Sequence, residues 1–355
     1  MPSPPSSKIH LLTPPEPGKK AASRTYIIYF LTGNPGLVEY YRTFLTHLYG
    51  LLSRDTASSR DVEFQVYGRS FSGFEMNTSD IKTMKWRKQP PYGLQDQIRH
   101  AEEDVVEVVE EAKEQGARDV RVVLVGHSVG SYISLEIIRR LRAHGMAGED
   151  FDTKIVGAVG LFPTVVDIAR SESGMKASPF LKNSNFATFA SILVSFLTCF
   201  LPVSLIAMLV AKFMDFPEDA AHTTASFVKS PFGIQQALHM ARDEMFQIDT
   251  DIWDEDIWGA TTPSQHPHPR PLLRFLFARQ DHWVADSTRD ALISSRGRYQ
   301  GAVEEVGGMG ESWKPVMEID EREGWPHGFC IRHGVPVAEK AAGYVKDIVG
   351  QDLQK

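Results

Sequence analysis

Residues 121–143 read RVVLVGHSVGSYISLEIIRRLRA, and the five in the middle decide the fold. Arg121–Val125 is a short β-branched run of strand character, and a helical pattern, SYISLEIIRRLRAH, begins at Ser131. Between them Gly126-His127-Ser128-Val129-Gly130 fits G-x-S-x-G. The pentapeptide alone is common. Placed between a strand and a helix it predicts a sharp turn that projects a serine hydroxyl into a cleft, with glycines where backbone segments come close.

Outward from this turn the same alternation recurs. Tyr26–Leu31 (YIIYFL), Val62–Tyr67 (VEFQVY), Ile155–Phe162 (IVGAVGLF) and Leu272–Ala278 (LLRFLFA) read as strands. Helical patterns fall at about 38–51, at 94–115 with Leu94, Ile98, Val105, Val106 and Val109 on one face, and at about 337–352. Strand, helix, strand, helix in this order implies an α/β fold: a mostly parallel sheet with helices on both faces and an inserted apolar helical lid, as in α/β-hydrolases. The expected organisation is a flexible tail over 1–25, a core from 26–165 and 266–355, and a lid or membrane-associating insert over 166–265. Regular structure is expected to start at Tyr26.

A serine hydroxyl needs a base, and in this fold the chain order is Ser, acid, His. Asp281 stands just past the run 272–278, where the acid is expected. His327, in Gly324-Trp325-Pro326-His327-Gly328-Phe329, precedes the last helix, as the base should. Asp167 is a rival acid and His333 a rival base; His282 and His127 are expected to point elsewhere, and His266 and His268 read as a solvated proline-rich loop. Two backbone N–H groups must receive the oxyanion. Val129 supplies one. In Gly33-Asn34-Pro35-Gly36 Pro35 has none, which leaves Asn34 as the second donor.

Composition bounds the alternatives. A net charge of −7 and a pI near 6.0, without a basic stripe, argue against nucleic acid as partner. The two cysteines, Cys199 and Cys330, form no C-x-x-C pair, and no phosphate loop or metal-ligand cluster is read, so no cofactor is expected. Prolines near the N-terminus interrupt any secretory signal.

Residues 183–211 contain no Asp, Glu, Lys or Arg. As one helix they would span ~43 Å, but Pro202 lies inside and would break it. An apolar hairpin over 183–213 is therefore expected, with Leu193, Leu197, Pro202, Leu205 and Leu209 meeting lipid. It would keep both halves of the core on one side of the surface. A soluble lid is the other reading of the same residues.

YFLTGNPGLVEYYRTFL (29–45), VVLVGHSVGSYI (122–133), GLFPTVVDIARSESG (160–174), a late Asp and a His shortly before Phe resemble, in that order, the lipid droplet-associated hydrolase family. The resemblance covers about residues 26–335. It implies a serine-esterase-like fold, action on neutral lipid esters such as sterol esters, and association with lipid droplets or endoplasmic reticulum; the apolar hairpin, with both ends on one side, adds the expectation of the cytosolic face. It places the nucleophile on Ser128 and the acid and His on Asp281 and His327. The expected function is therefore a serine hydrolase of sterol-ester or acylglycerol type. Two alternatives remain at this point: a non-enzymatic droplet-organising protein on the same fold, and an acyltransferase using the same serine.

Overall fold

A computed structural model describes residues 6–13, 22–56, 61–76, 89–146, 153–298 and 313–354. Its centre is a seven-stranded sheet: β1 (Lys8–Leu11), β2 (Arg24–Leu31), β3 (Val62–Arg69), β4 (Val120–His127), β5 (Lys154–Leu161), β6 (Leu272–Ala278) and β7 (Val316–Asp320). The order is β1-β3-β2-β4-β5-β6-β7. β1 runs antiparallel to β3, and the other neighbours are parallel. The inner strands are largely apolar, as strands covered by helices on both faces must be. Val122 and Leu124 enter one core with Ile98 and Val105; Val123 and Val125 enter the other with Phe44 and Val345.

The covering helices are α1 (Arg42–Thr56), α2 (Leu94–Glu114), α3 (Val129–Met146), α10 (Asp286–Arg296) and α11 (Gly334–Leu353). Between β5 and β6 the chain leaves the sheet for α4 (Glu172–Leu181), α5 (Phe186–Thr198), α6 (Val203–Met214), α7 (Glu218–Lys229), α8 (Gly233–Gln247) and the single turn α9 (Glu255–Trp258). These helices lie between Glu172 and Trp258.

One expectation needs correction. The N-terminal stretch is not loose throughout: Lys8–Leu11 pairs with Val66–Arg69 as an edge strand, and β2 begins at Arg24, not Tyr26. The backbone of β3 supplies that pairing, which leaves no hydrophobic pattern in KIHL to read. The apolar segment is broken at Pro202 as its ring requires, and the expected hairpin takes the form of two helices, α5 and α6, bent by 106°. α5 packs mainly on α8 and α6 mainly on α7, and these supports set the angle between the arms. Lys229 Nζ donates to the Thr198 and Cys199 carbonyls, satisfying the open C-terminal end of α5.

Candidate active site

Ser128 sits where β4 turns into α3, with φ at +53°. That conformation is unusual for a residue with a side chain and is imposed by the closeness of the turn. A Cβ on Gly126 would lie 2.4 Å from the Gly130 carbonyl, and one on Gly130 would lie 2.4 Å from the Leu31 carbonyl oxygen. Both positions therefore exclude any side chain. The Ser128 N–H is fixed by the Leu161 carbonyl at 3.0 Å, and Thr164 Oγ1 stands 3.5 Å from Ser128 Oγ.

His327 comes from the loop between β7 and α11. The Asp320 carboxylate shapes that loop by accepting the N–H groups of Arg322, Glu323 and Trp325. His327 Nε2 lies 2.9 Å from Ser128 Oγ, and its Nδ1 lies 2.7 Å from Asp281 Oδ2. Asp281 follows β6, and its other oxygen accepts the Trp283 N–H at 2.8 Å. Burial pushes the Asp281 carboxyl up, but the hydrogen bond and charge of His327, with the Trp283 N–H, outweigh it and hold the group below the ordinary carboxylate range. A carboxylate can only accept, so Nδ1 of His327 carries the proton and Nε2 presents its lone pair to the serine hydroxyl. This arrangement can take the hydroxyl proton as Oγ attacks a carbon centre.

Residues 24–330 match the family model described as lipid-droplet associated hydrolase. The chain belongs to this family. A mouse protein named lipid droplet-associated hydrolase is 25% identical over 72% of this chain and 70% of its own. A Drosophila melanogaster protein of the same name is 24% identical over 92% and 89%. Among solved structures, the fold is similar to the peroxisomal α/β-hydrolase Lpx1 of Saccharomyces cerevisiae (TM-score 0.55, 11% identity, 98% of this chain and 86% of that one). It is also similar to juvenile hormone epoxide hydrolase of Bombyx mori (TM-score 0.51, 11% identity, 98% and 74%). The fold expected from the strand order is thus that of the α/β-hydrolases.

In this family member none of the other candidate side chains is bonded to Ser128 Oγ, which meets His327 and Thr164. Asp167 pairs with Arg170 at 3.5 Å and passes its N–H to Asp249. His333 occupies the N-cap position of α11, where its backbone carbonyl accepts the Val337 N–H. His282 is exposed beside the site, its ring 6.2 Å from that of His327. His266 and His268 bond to each other within their own loop, and no group of three metal-ligating side chains occurs among the described residues.

Of the expected oxyanion donors, Val129 is the first residue of α3, so its N–H has no partner a turn earlier. Asn34 follows Gly33, whose Cβ position lies 3.2 Å from Ser128 Cβ, so this turn lies directly beside the serine.

Sequence reading missed a chain of bonds behind the site. His127 does point away from the cleft, but it bridges three segments. Its Nε2 lies 2.8 Å from the His327 carbonyl, its Nδ1 lies 2.7 Å from Tyr41 Oη, and Tyr41 Oη accepts the Gly33 N–H at 3.1 Å. The carbonyl can only accept, so Nε2 holds the proton, Nδ1 accepts from the tyrosine, and the tautomer is fixed. Burial, with the neighbouring His327 ring, pushes the His127 pKa down to about 3, so it stays neutral. No local pattern could reveal partners this distant in the chain.

Of the expected lipid-contact residues, Leu193, Leu197, Pro202 and Leu209 are exposed and Leu205 is half-buried. α5 buries none of its residues and turns Phe189, Ile192, Leu193, Phe196 and Leu197 outward. A helix of a water-facing lid turns its polar face out; this one turns out its apolar face.

Proposed function

We propose that this hydrolase cleaves lipid esters at a lipid droplet surface through an acyl-enzyme on Ser128. The contact between His327 Nε2 and Ser128 Oγ at 2.9 Å, backed by Asp281 at 2.7 Å, carries the reading. Ser128 Oγ bonds to the ester carbonyl carbon as His327 takes the hydroxyl proton. The carbonyl oxygen becomes an oxyanion facing the N–H groups of Val129 and Asn34. Collapse of this intermediate breaks the bond to the alcohol, which leaves with the proton from His327. Water then attacks the acyl-enzyme with His327 again as base, releasing the acid and restoring Ser128.

The outward apolar faces of α5 and α6 support the choice of a lipid surface. A droplet has one phospholipid layer over oil, so a bent pair of short helices can enter it without needing water on the far side. The same pair suits the cytosolic leaflet of the endoplasmic reticulum. Names of the relatives point to droplets as well. The test is labelling with a fluorophosphonate and hydrolysis of a short acyl ester. Wild type should do both and Ser128→Ala neither, with its fold intact by circular dichroism. Equal labelling of the two proteins refutes the assignment.

A further inference from the structure

Asn34 reaches across to the insert. Its Nδ2 donates to the Ala237 carbonyl at 3.0 Å and to Glu244 Oε1 at 2.9 Å, both on α8. Glu244 is 4% exposed, and among the described residues Asn34 is the one side chain that bonds its carboxyl. Burying a carboxyl is costly, and an apolar residue would fill the same space without that cost. Asn34 Oδ1 is buried with no hydrogen-bond partner. The two acceptors on α8 therefore decide how the Asn34 side chain is held.

We propose that Glu244 is a positioning residue for ester cleavage: it pins Asn34 to α8 and thereby aims the Asn34 N–H at the oxyanion beside Ser128. This rests on the reading of Ser128 and Asn34 given above. It also joins the lipid-facing arm to the site, since α5 packs on α8.

The ionisation of Glu244 gives the role a distinctive signature. Burial pushes its carboxyl up to about 8; the Asn34 amide opposes this and Asp243, on the same helix, adds to it. Asp243 is the charged group that adds to the rise, and Asn34 is the side chain of the facing turn that bonds the carboxyl. At neutral pH the group is uncharged and accepts from Asn34. Above its pKa a negative charge stands behind the turn and opposes the charge growing on the oxyanion.

Glu244→Gln keeps an acceptor that never ionises, and Glu244→Leu removes it. The test measures kcat and KM on p-nitrophenyl butyrate from about pH 6 to about pH 9.5, with Ser128→Ala in parallel, since its loss of turnover marks Ser128 chemistry. Glu244→Leu should lower kcat roughly tenfold or more with KM little changed, part of the ~10²–10³ that a whole oxyanion donor supplies. Glu244→Gln should keep wild-type kcat at neutral pH and hold it at alkaline pH, where wild type declines. A folded Glu244→Leu protein with wild-type kcat overturns the proposal, as does a Gln variant as impaired as the Leu variant. Should Glu244→Leu not fold, the Gln profile decides: an alkaline decline identical to wild type overturns the role. Full turnover by Ser128→Ala would instead sink the serine reading on which it rests.

Discussion

Replacing Phe196, Phe200 and Phe213 together by serine should release the protein from lipid. These rings are 73%, 94% and 76% exposed, so they contribute little to the folded core. Taking a phenylalanine fully out of water is worth up to ~3 kcal/mol, so at these exposures each ring transfers with ~2 kcal/mol. The three together lose ~6 kcal/mol, which at 1.4 kcal/mol per decade is about 10⁴ in partition. That value is an upper limit, since shallow insertion buries less of each ring. The assay is flotation with triacylglycerol droplets coated in phosphatidylcholine, read as the bound fraction against lipid concentration. Fluorophosphonate labelling checks that the variant is folded, and hydrolysis of a soluble ester should be unchanged. A labelled variant that floats with wild-type affinity refutes the reasoning, and α5 and α6 would then not be the docking element.

Asp281→Asn should lower kcat by about 10³–10⁴ while binding persists, because an amide can hold the imidazole in the wrong tautomer; steady-state kinetics on a soluble ester check this. Tyr41→Phe leaves the Gly33 N–H and His127 Nδ1 buried without their partner, which should cost ~1–3 kcal/mol in urea unfolding and lower kcat with it. Glu244→Gln should stabilise the protein in a pH-dependent way. The native carboxyl keeps its proton to about pH 8 while the unfolded one loses it near 4.5. Wild-type stability is therefore undiminished below pH 4.5, falls by about 1.4 kcal/mol per pH unit between the two values, and levels off above the higher one. The gain from the Gln variant should grow from near zero at the low end to a few kcal/mol at neutral pH; urea melts showing a constant difference would contradict it.

The inner sheet was legible because its strands are buried on both faces. Tyr26–Leu31 reads as an unbroken apolar run for that reason, and Leu272–Ala278 is interrupted only by Arg274, which pairs with Asp347. The edges were not: β7, VMEID, carries two acids, and β1 is four residues long. Their strand identity comes from the backbone of β6 and β3. The turn around Ser128 was legible because its sterics are local, needing glycine at 126 and 130 within one short stretch. Asp281 and His327 were expected from chain order together with their places after an apolar run and before the last helix, which left Asp167 and His333 as rivals. The bonding roles of Tyr41, His127 and Glu244 could not be read, since they exist only through contacts 86, 200 and 210 residues apart in sequence. The bend at Pro202 was legible as a break but not as an angle, because neighbouring helices set the angle.

The line of bonds from Gly33 through Tyr41 and His127 to the His327 carbonyl has a consequence for how the sequence can drift. A change at 41 alone strands an imidazole nitrogen, and a change at 127 alone strands a phenol and a carbonyl. Each single step is penalised, and losing both still strands the Gly33 N–H and the His327 carbonyl, so the mild route is a joint exchange that again supplies an acceptor for the first and a donor for the second. The two positions are thus heritable as a unit. In descendants of this chain, Tyr41 and His127 should be kept together or exchanged together, and intermediates holding one without the other should be rare.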